Sequence, residues 1–252
     1  MRVFHLNCGL LHAPPHPRAA CHCLLLERKG RLALIDAGIG LRDIAQPRER
    51  IGQIAIDAAG FQFHEELTAI RQIERLGFPS SAVADIVLTH GDPDHAGGLS
   101  DFPDATVHVS QEELTQINSL QDRYSPAQFN HGPRWFAHQS LPSHWFGVEC
   151  RPLPLALGVG CALIPLFGHT HGHCGVAIRT GDRWLLHVGD AYYLRAELAI
   201  ADHPVSALAQ LRADDDVQRR SSLEILRRLA RDHQDQIELC GYHDFTEFPD
   251  TT

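Results

Sequence analysis

Between Thr89 and Leu99 the chain reads Thr-His-Gly-Asp-Pro-Asp-His-Ala-Gly-Gly-Leu, which places His90, Asp92, Asp94 and His95 within a single short loop. The loop follows the apolar run Ala84 to Leu88, which has the length and composition of a buried strand. A tight turn accounts for Gly91 and Pro93. It does not account for two histidines bracketing two aspartates, side chains that share the ability to donate a lone pair to a metal ion. Residues of the same type recur after later strand-like runs. Gly168-His169-Thr170-His171-Gly172-His173 follows Ala162 to Leu166, Gly189-Asp190 follows Trp184 to Val188, and His243 follows Gln236 to Cys240. A scaffold that gathers distant strand ends at one edge is required, and that restricts the chain to an α/β architecture.

The rest of the pattern agrees. Val3 to Leu6 reads as a strand, and Cys21 to Glu27 with Arg31 to Asp36 reads as a hairpin around Lys29-Gly30. Thr106 to Val109 and Gly175 to Arg179 read as further strands. Apolar spacing predicts helices over His64 to Leu76 and Asp216 to His233, the latter with Leu223, Leu226 and Leu229 in its buried row. Ser110 opens another helix, with Glu113 at the capping-box position. Leu120 to Phe146 is rich in proline, glycine and aromatic residues and shows no clean period. No linker divides the 252 residues, so one domain spanning 1–252 is expected, with about 110–146 as a substrate-lining insertion.

Composition removes several classes of partner. A net charge of −9 with no basic cluster argues against nucleic acid or an anionic membrane. Pro152 to Ile178 lacks acidic and basic residues, but its prolines, glycines and histidines exclude a spanning helix. The N-terminus shows no apolar signal segment, and the seven cysteines are odd in number and sit mostly in strand-like runs. A cytoplasmic protein with free, buried thiols is expected. The 18 histidines stand against one methionine, and the strand-end loops give part of that surplus a use.

Taken together, these motifs resemble the metallo-β-lactamase-fold superfamily of binuclear metallohydrolases from about Val3 to Asp244. That family has an aspartate in a glycine-rich turn after a strand, as at Asp36, and a His-x-His-x-Asp-His signature. Here it is matched by His90, Asp92, Asp94 and His95, with aspartate in place of the second histidine. A Gly-His-Thr-x-Gly-His element, a Gly-Asp and a late histidine complete the family pattern at His169, Asp190 and His243. The resemblance implies an αββα sandwich of the lactonase and glyoxalase II type. It implies one metal on His90, Asp92 and His169, another on Asp94, His95 and His243, and Asp190 bridging them. His173 and Asp36 would orient these ligands. His171 lies outside the family pattern and reads as surface polarity or a substrate contact.

The function implied is hydrolysis of a small ester, lactone or thioester by a metal-bridging hydroxide. Asp94 would orient that hydroxide and pass a proton to the leaving group. Tyr193, three residues after Asp190, matches a tyrosine that assists at the substrate carbonyl in acyl-homoserine lactonases of this superfamily. The alternative is a packed aromatic with a satisfied hydroxyl. The segment Tyr124 to Phe146 is a candidate wall for the substrate, and Arg134 a candidate contact for an anionic group. The carboxylate of Asp92 would cancel the positive charge left by two divalent ions, two aspartates and a hydroxide, and so acidify bound water less. It also resembles the ligand set of non-haem iron sites, which raises a di-iron oxygen- or redox-active enzyme as an alternative. A non-catalytic metal-binding protein is the third class. Two divalent ions are the expected cofactors, zinc first and iron or manganese as alternatives. The expected partner is a small-molecule substrate, and the sequence leaves the oligomeric state open.

Overall fold

The computed structural model describes residues 1–119, 123–141 and 143–249. Leu120, where the irregular segment begins, lies outside them. Seven strands form the first sheet: β1 (Arg2–Leu11), β2 (Ala19–Arg28), β3 (Arg31–Ile35), β4 (Phe61–Gln62), β5 (Val83–Val87), β6 (Thr106–Ser110) and β7 (Arg134–His138). Their order is β4-β1-β2-β3-β5-β6-β7, antiparallel up to β3 and parallel from β3 to β7. A two-stranded ribbon, β8 (His144–Trp145) and β9 (Val148–Glu149), leads into the second sheet. That sheet runs in order through β10 (Arg151–Pro152), β11 (Cys161–Pro165), β12 (Cys174–Thr180), β13 (Arg183–His187) and β14 (Ile237–Cys240). Its pairs are antiparallel except β13 with β14.

Side chains alternate across each strand, so a sheet covered on both faces needs apolar residues at consecutive positions. In β2 and β3, Leu24, Leu26, Ala33 and Ile35 face the second sheet and meet Leu163, Val176, Ile178 and Leu185. Leu25, Leu32 and Leu34 face the opposite way, onto Ile73, Leu99 and Phe102. On the far side of the second sheet, Ile164, Ala177, Leu186 and Leu239 pack against Leu223, Leu226 and Leu229 of the helix Asp216–Asp232. The layers are therefore helix, sheet, sheet, helix, the sandwich that the sequence implied.

The long C-terminal helix matches its expected span, and Asp215 caps it by accepting the Gln218 N–H at 3.0 Å. The helix expected over His64 to Leu76 is shorter, Ala69–Arg75, preceded by a separate turn Glu65–Leu67. Thr68 stands between them with extended backbone, its hydroxyl donating to Glu65 O at 2.8 Å, which starts a new helix rather than continuing the old one. Short helices at Leu41–Ala45, Gln53–Ala59 and Ser206–Arg212 escape a periodicity reading because each spans less than two full turns of clear pattern.

All seven cysteines are free and buried. Among the described residues, no helix is long and apolar enough to cross a membrane.

Truncating Leu226, which is fully buried between helix and sheet, leaves a cavity at the centre of the outer layer. Leu226→Ala should cost about 2–5 kcal/mol in denaturant unfolding. Unfolding the unreduced protein should expose seven titratable thiols, and a count of three or fewer would overturn the free-cysteine assignment.

Candidate metal centre

Each site residue is delivered by the end of a strand. Past β3, Asp36 takes a left-handed backbone with φ 55°, which turns its carboxylate back toward the next parallel strand. There it accepts the Thr89 N–H at 2.8 Å and the Thr89 hydroxyl at 2.8 Å, and it meets His95 Nδ1 at 2.9 Å. This carboxylate fixes both the loop after β5 and the ring that His95 presents from the other side. The loop itself turns into the short helix Pro93–Ala96, with Pro93 at its first position, where a missing N–H costs nothing.

The loop after β11 brings in His169, and the turn after β13 brings in Asp190. Gly189 makes that turn at φ 54°, and a Cβ there would stand 2.5 Å from His173 Nε2. The close approach has a purpose: His173 Nε2 accepts the Asp190 N–H at 2.9 Å while Nδ1 donates to Leu166 O at 2.8 Å. Burial drives the His173 pKa down to about 3, so the ring stays neutral and its accepting nitrogen stays available. His243, beyond β14, donates from Nδ1 to Ala20 O at 2.8 Å, which leaves Nε2 turned into the site.

Two triads result. His90, Asp92 and His169 hold ligand atoms within 4.8 Å of one another, and so do Asp94, His95 and His243. In the first, Asp92 Oδ2 lies 3.4 Å from His90 Nε2 and 3.3 Å from His169 Nε2. In the second, Asp94 Oδ2 lies 3.8 Å from the Nε2 atoms of both His95 and His243. Asp190 stands between the triads, 3.2 Å from His95, 3.4 Å from His169 and 3.2 Å from His243. His90 Nε2, His95 Nε2 and Asp190 Oδ1 are buried without a hydrogen-bond partner among the described residues. Buried lone pairs converging with nothing to accept are costly unless a cation completes them. The donor set, two imidazoles and a carboxylate per triad with one shared carboxylate, fits a pair of divalent ions.

Residues whose role here no local pattern announced hold this arrangement. Glu113 is fully buried, and its carboxylate accepts the Gly91 N–H at 2.7 Å, the Thr170 hydroxyl at 2.6 Å and the Tyr124 hydroxyl. One side chain thus ties the loop of the first motif to the loop of the second. Ser110 does cap its helix by accepting the Glu113 N–H at 3.0 Å, but the capping box is not closed, because the Glu113 carboxylate is committed to the two loops. Burial raises its pKa against the pull of these three donors. Gly172 lies so close that a Cβ would come within 2.1 Å of Glu113 N. Tyr242 stacks on His95 at 3.7 Å between ring centres and donates its hydroxyl to Asp94 O at 2.6 Å.

Asp92 has a partner that the sequence did not reveal. Arg123 donates to both of its carboxylate oxygens, at 2.9 Å from Nε and 2.7 Å from the terminal nitrogen. Burial pushes the Asp92 pKa up, but Arg123 and the His169 and His90 rings outweigh it and hold the group well below the usual carboxylate range. The expectation that Asp92 makes the centre less positive therefore needs correction, since the guanidinium returns the charge that the carboxylate removes.

The site floors a cleft. Asp92, Asp94, His169, Asp190, His243 and Tyr193 line its base, and Leu11, Ala13, Ala58, Ala59, Val205 and Leu208 contribute apolar wall. Among the described residues, the aromatic segment contributes none of this lining. Phe129 and Trp135 pack against the outer core of the first sheet, and Trp145 belongs to that of the second. Arg134 is exposed and donates to Asp104 O at 2.9 Å, away from the cleft. His171 is also exposed and belongs to neither triad. Tyr193 faces the base with its ring 5.3 Å from His243, and its hydroxyl has no hydrogen bond among the described residues. Its neighbour Tyr192, by contrast, donates to Glu247 at 3.0 Å and is the packed aromatic.

The sequence profile described as the metallo-beta-lactamase superfamily matches residues 16–235. The chain belongs to that superfamily. Probable metallo-hydrolases of Mycobacterium tuberculosis and Mycobacterium bovis are each 38% identical over 97% of this chain and 77% of their own length. Among solved structures of this superfamily's fold, a quorum-quenching N-acyl homoserine lactone lactonase superposes with a TM-score of 0.72 at 17% identity, over 99% of this chain and 95% of that one. An N-acyl homoserine lactone hydrolase with the product N-hexanoyl-L-homoserine at its catalytic metal centre gives 0.70 at 18%, covering 97% and 93%. A dizinc quorum-quenching lactonase gives 0.61 at 21%, covering 91% and 74%.

Replacing Glu113 with alanine removes the joint between the two metal-site loops. Glu113→Ala should lose about 2–5 kcal/mol of unfolding free energy, because it leaves three buried donors without their acceptor. It should also weaken metal retention against a chelator. Wild-type stability together with wild-type retention would show that the two loops hold their positions without it.

Proposed function

We propose that this metal-dependent hydrolase of the superfamily works with two ions on a small ester, lactone or thioester. The ions would be held by His90, Asp92 and His169 on one side and by Asp94, His95 and His243 on the other, with Asp190 common to both. The observation that carries this reading is the Asp190 carboxylate, reached by imidazoles of both triads at 3.2–3.4 Å on the floor of an apolar-walled cleft. Zinc is the first reading for the metal, given the nitrogen and oxygen donors.

The chemistry such a pair of ions supplies when bound is a hydroxide nucleophile near neutral pH and Lewis-acid polarisation of the acyl oxygen. The protein's own groups do the rest. Asp94 presents a carboxylate to the base of the cleft from a backbone fixed by Tyr242, and so is placed to orient a nucleophilic water and carry a proton to the leaving oxygen or sulfur. Tyr193 brings to the same floor a hydroxyl that has no hydrogen bond among the described residues. Burial, followed by the charge of Asp190, pushes its pKa well above the usual phenol value, so it remains a hydrogen-bond donor to the oxyanion that develops at the substrate carbonyl. The walls from Leu11 to Leu208 suit an apolar acyl or ring group, and His16, Arg18 and Arg212 line the same cleft. The lactonases that share the fold suggest lactones as the first substrates to try.

Reconstitution with zinc, manganese or iron, followed by elemental analysis and a panel of esters, lactones and thioesters, tests the reading. Two ions per chain and turnover of at least one substrate class are expected, and at most one ion per chain would reject it. Asp94→Asn should lower kcat by about 10²- to 10⁴-fold, the usual contribution of a positioned acid-base group. Tyr193→Phe should lose about 10²-fold or more in kcat with little change in metal content. An unchanged rate in Tyr193→Phe would assign the ring to packing alone.

A further inference from the structure

Arg123 is placed with unusual completeness. Its Nε–H donates to Asp92 Oδ1 at 2.9 Å, and one terminal nitrogen donates to Asp92 Oδ2 at 2.7 Å and to His169 Nε2 at 3.1 Å. The other terminal nitrogen donates to Asp214 Oδ1 at 2.8 Å and to Arg212 O at 3.0 Å. All five guanidinium N–H groups are thus engaged. Asp214 is itself anchored, accepting from Gln116 at 3.2 Å and from the His171 N–H at 3.2 Å, while its own N–H donates to His169 O at 3.0 Å. The guanidinium is gripped from behind by the connection between the helices Ser206–Arg212 and Asp216–Asp232, which is itself hydrogen-bonded to the loop that carries His169. It is a fixed cation and not a wandering surface charge, and its charge cannot be removed by pH.

Its contacts fall on one triad only. Asp92 Oδ2 and His169 Nε2 are two of the three atoms that the first triad offers to an ion, and Arg123 donates into both. Among the described residues, no arginine or lysine forms an ion pair with Asp94 or Asp190, the carboxylates that serve His95 and His243. The two halves of the centre therefore differ in electrostatic environment. On one side an ion must take over lone pairs already in use and sit beside a permanent positive charge. On the other, among the described residues, no arginine or lysine pairs with its carboxylates.

Resting on the binuclear reading above, we propose that Arg123 sets unequal affinities in the two halves of the centre. The half built on Asp94, His95 and His243 fills first, and the half built on Asp92 fills second and weakly, because an ion there displaces the guanidinium from Asp92 Oδ2 and His169. Arg123 is a positioning residue in this scheme. It holds Asp92 and His169 in place while the half-site is empty, and it offsets the charge of Asp92 when the half-site is full. A histidine at position 92 would offer the guanidinium no carboxylate to pair with, so its placement depends on Asp92.

The test is a stepwise zinc titration of chelator-stripped, full-length protein, followed by calorimetry or competition with a metal-binding dye. The wild type should bind two ions in resolved steps. Arg123→Gln keeps a hydrogen-bond donor for Asp92 but loses the charge. It should tighten the second step by about tenfold or more, as expected for removing a unit charge a few ångströms from the ion, and leave the first step unchanged. Arg123→Lys keeps the charge and should keep the second step weak. Thermal unfolding of the metal-free proteins checks that each variant is folded, and Arg123→Met replaces Arg123→Gln if the latter is not. Two equal steps in the wild type, or a second step in Arg123→Gln that is unchanged or weaker, would overturn the proposal while leaving the two-ion reading intact. A single ion in the wild type and in every variant would overturn both.

Discussion

A single carboxylate, that of Asp190, must reach imidazoles carried by both sheets. His95 comes from the loop after β5 in the first sheet, while His169 and His243 come from the loops after β11 and β14 in the second. This demand sets the architecture. The two sheets must face each other closely enough for their edges to share one site, and the layer of Leu24, Leu26, Ile35, Leu163, Val176 and Ile178 between them is the means. It also sets the parallel arrangements β3-β5 and β13-β14, since parallel neighbours end at the same edge and deliver their following loops to one place. The apolar core and the polar centre are two consequences of one packing geometry.

Holding that many ionisable groups out of water requires support for each. The support is backbone and side-chain hydrogen bonds that turn the Nε2 of each ring toward the centre. Asp36 serves His95, Leu166 O serves His173, and Ala20 O serves His243, each through Nδ1. The rings are thereby fixed in orientation before any ion arrives, which reduces the conformational cost of binding. Glu113 extends the same logic to the backbone, joining Gly91 and Thr170 across the gap between the two motifs. Asp36, Ala20 and Glu113 lie on elements other than those they fix, so the centre depends on the tertiary fold being complete.

The balance of charge around Asp92 shows how a motif can mislead when read alone. With aspartate in place of histidine, the sequence pointed to a less positive centre and to the oxygen chemistry of non-haem iron. Arg123, 31 positions along the chain, reverses the first of these inferences because its guanidinium pairs with both oxygens of that carboxylate. It sits in the segment with no readable period, so nothing near it in the sequence connects it to position 92. The cleft walls followed the same rule. Aromatic residues between the motifs were the natural candidates, but Trp145, Phe129 and Trp135 are needed by the two outer cores, and the walls come from the β1–β2 connection and from two short helices.

What the sequence determined by itself was whatever depends on near neighbours. The alternation and length of apolar runs marked the strands, the spacing of leucines marked the helix Asp216–Asp232, and the strand-end positions of His90, Asp92, Asp94, His95, His169, Asp190 and His243 marked the centre. Each is a local pattern, because backbone geometry repeats every two or 3.6 residues and side chains at strand ends have few places to go. Only the tertiary structure decided which residues surround that centre. Glu113 with Gly91, Arg123 with Asp92, and Tyr193 at the cleft floor beside a Tyr192 bonded to Glu247 are distinctions of position in space. They arise where separate elements meet, and the strength of a buried hydrogen bond or ion pair depends on what surrounds it and not on its distance along the chain.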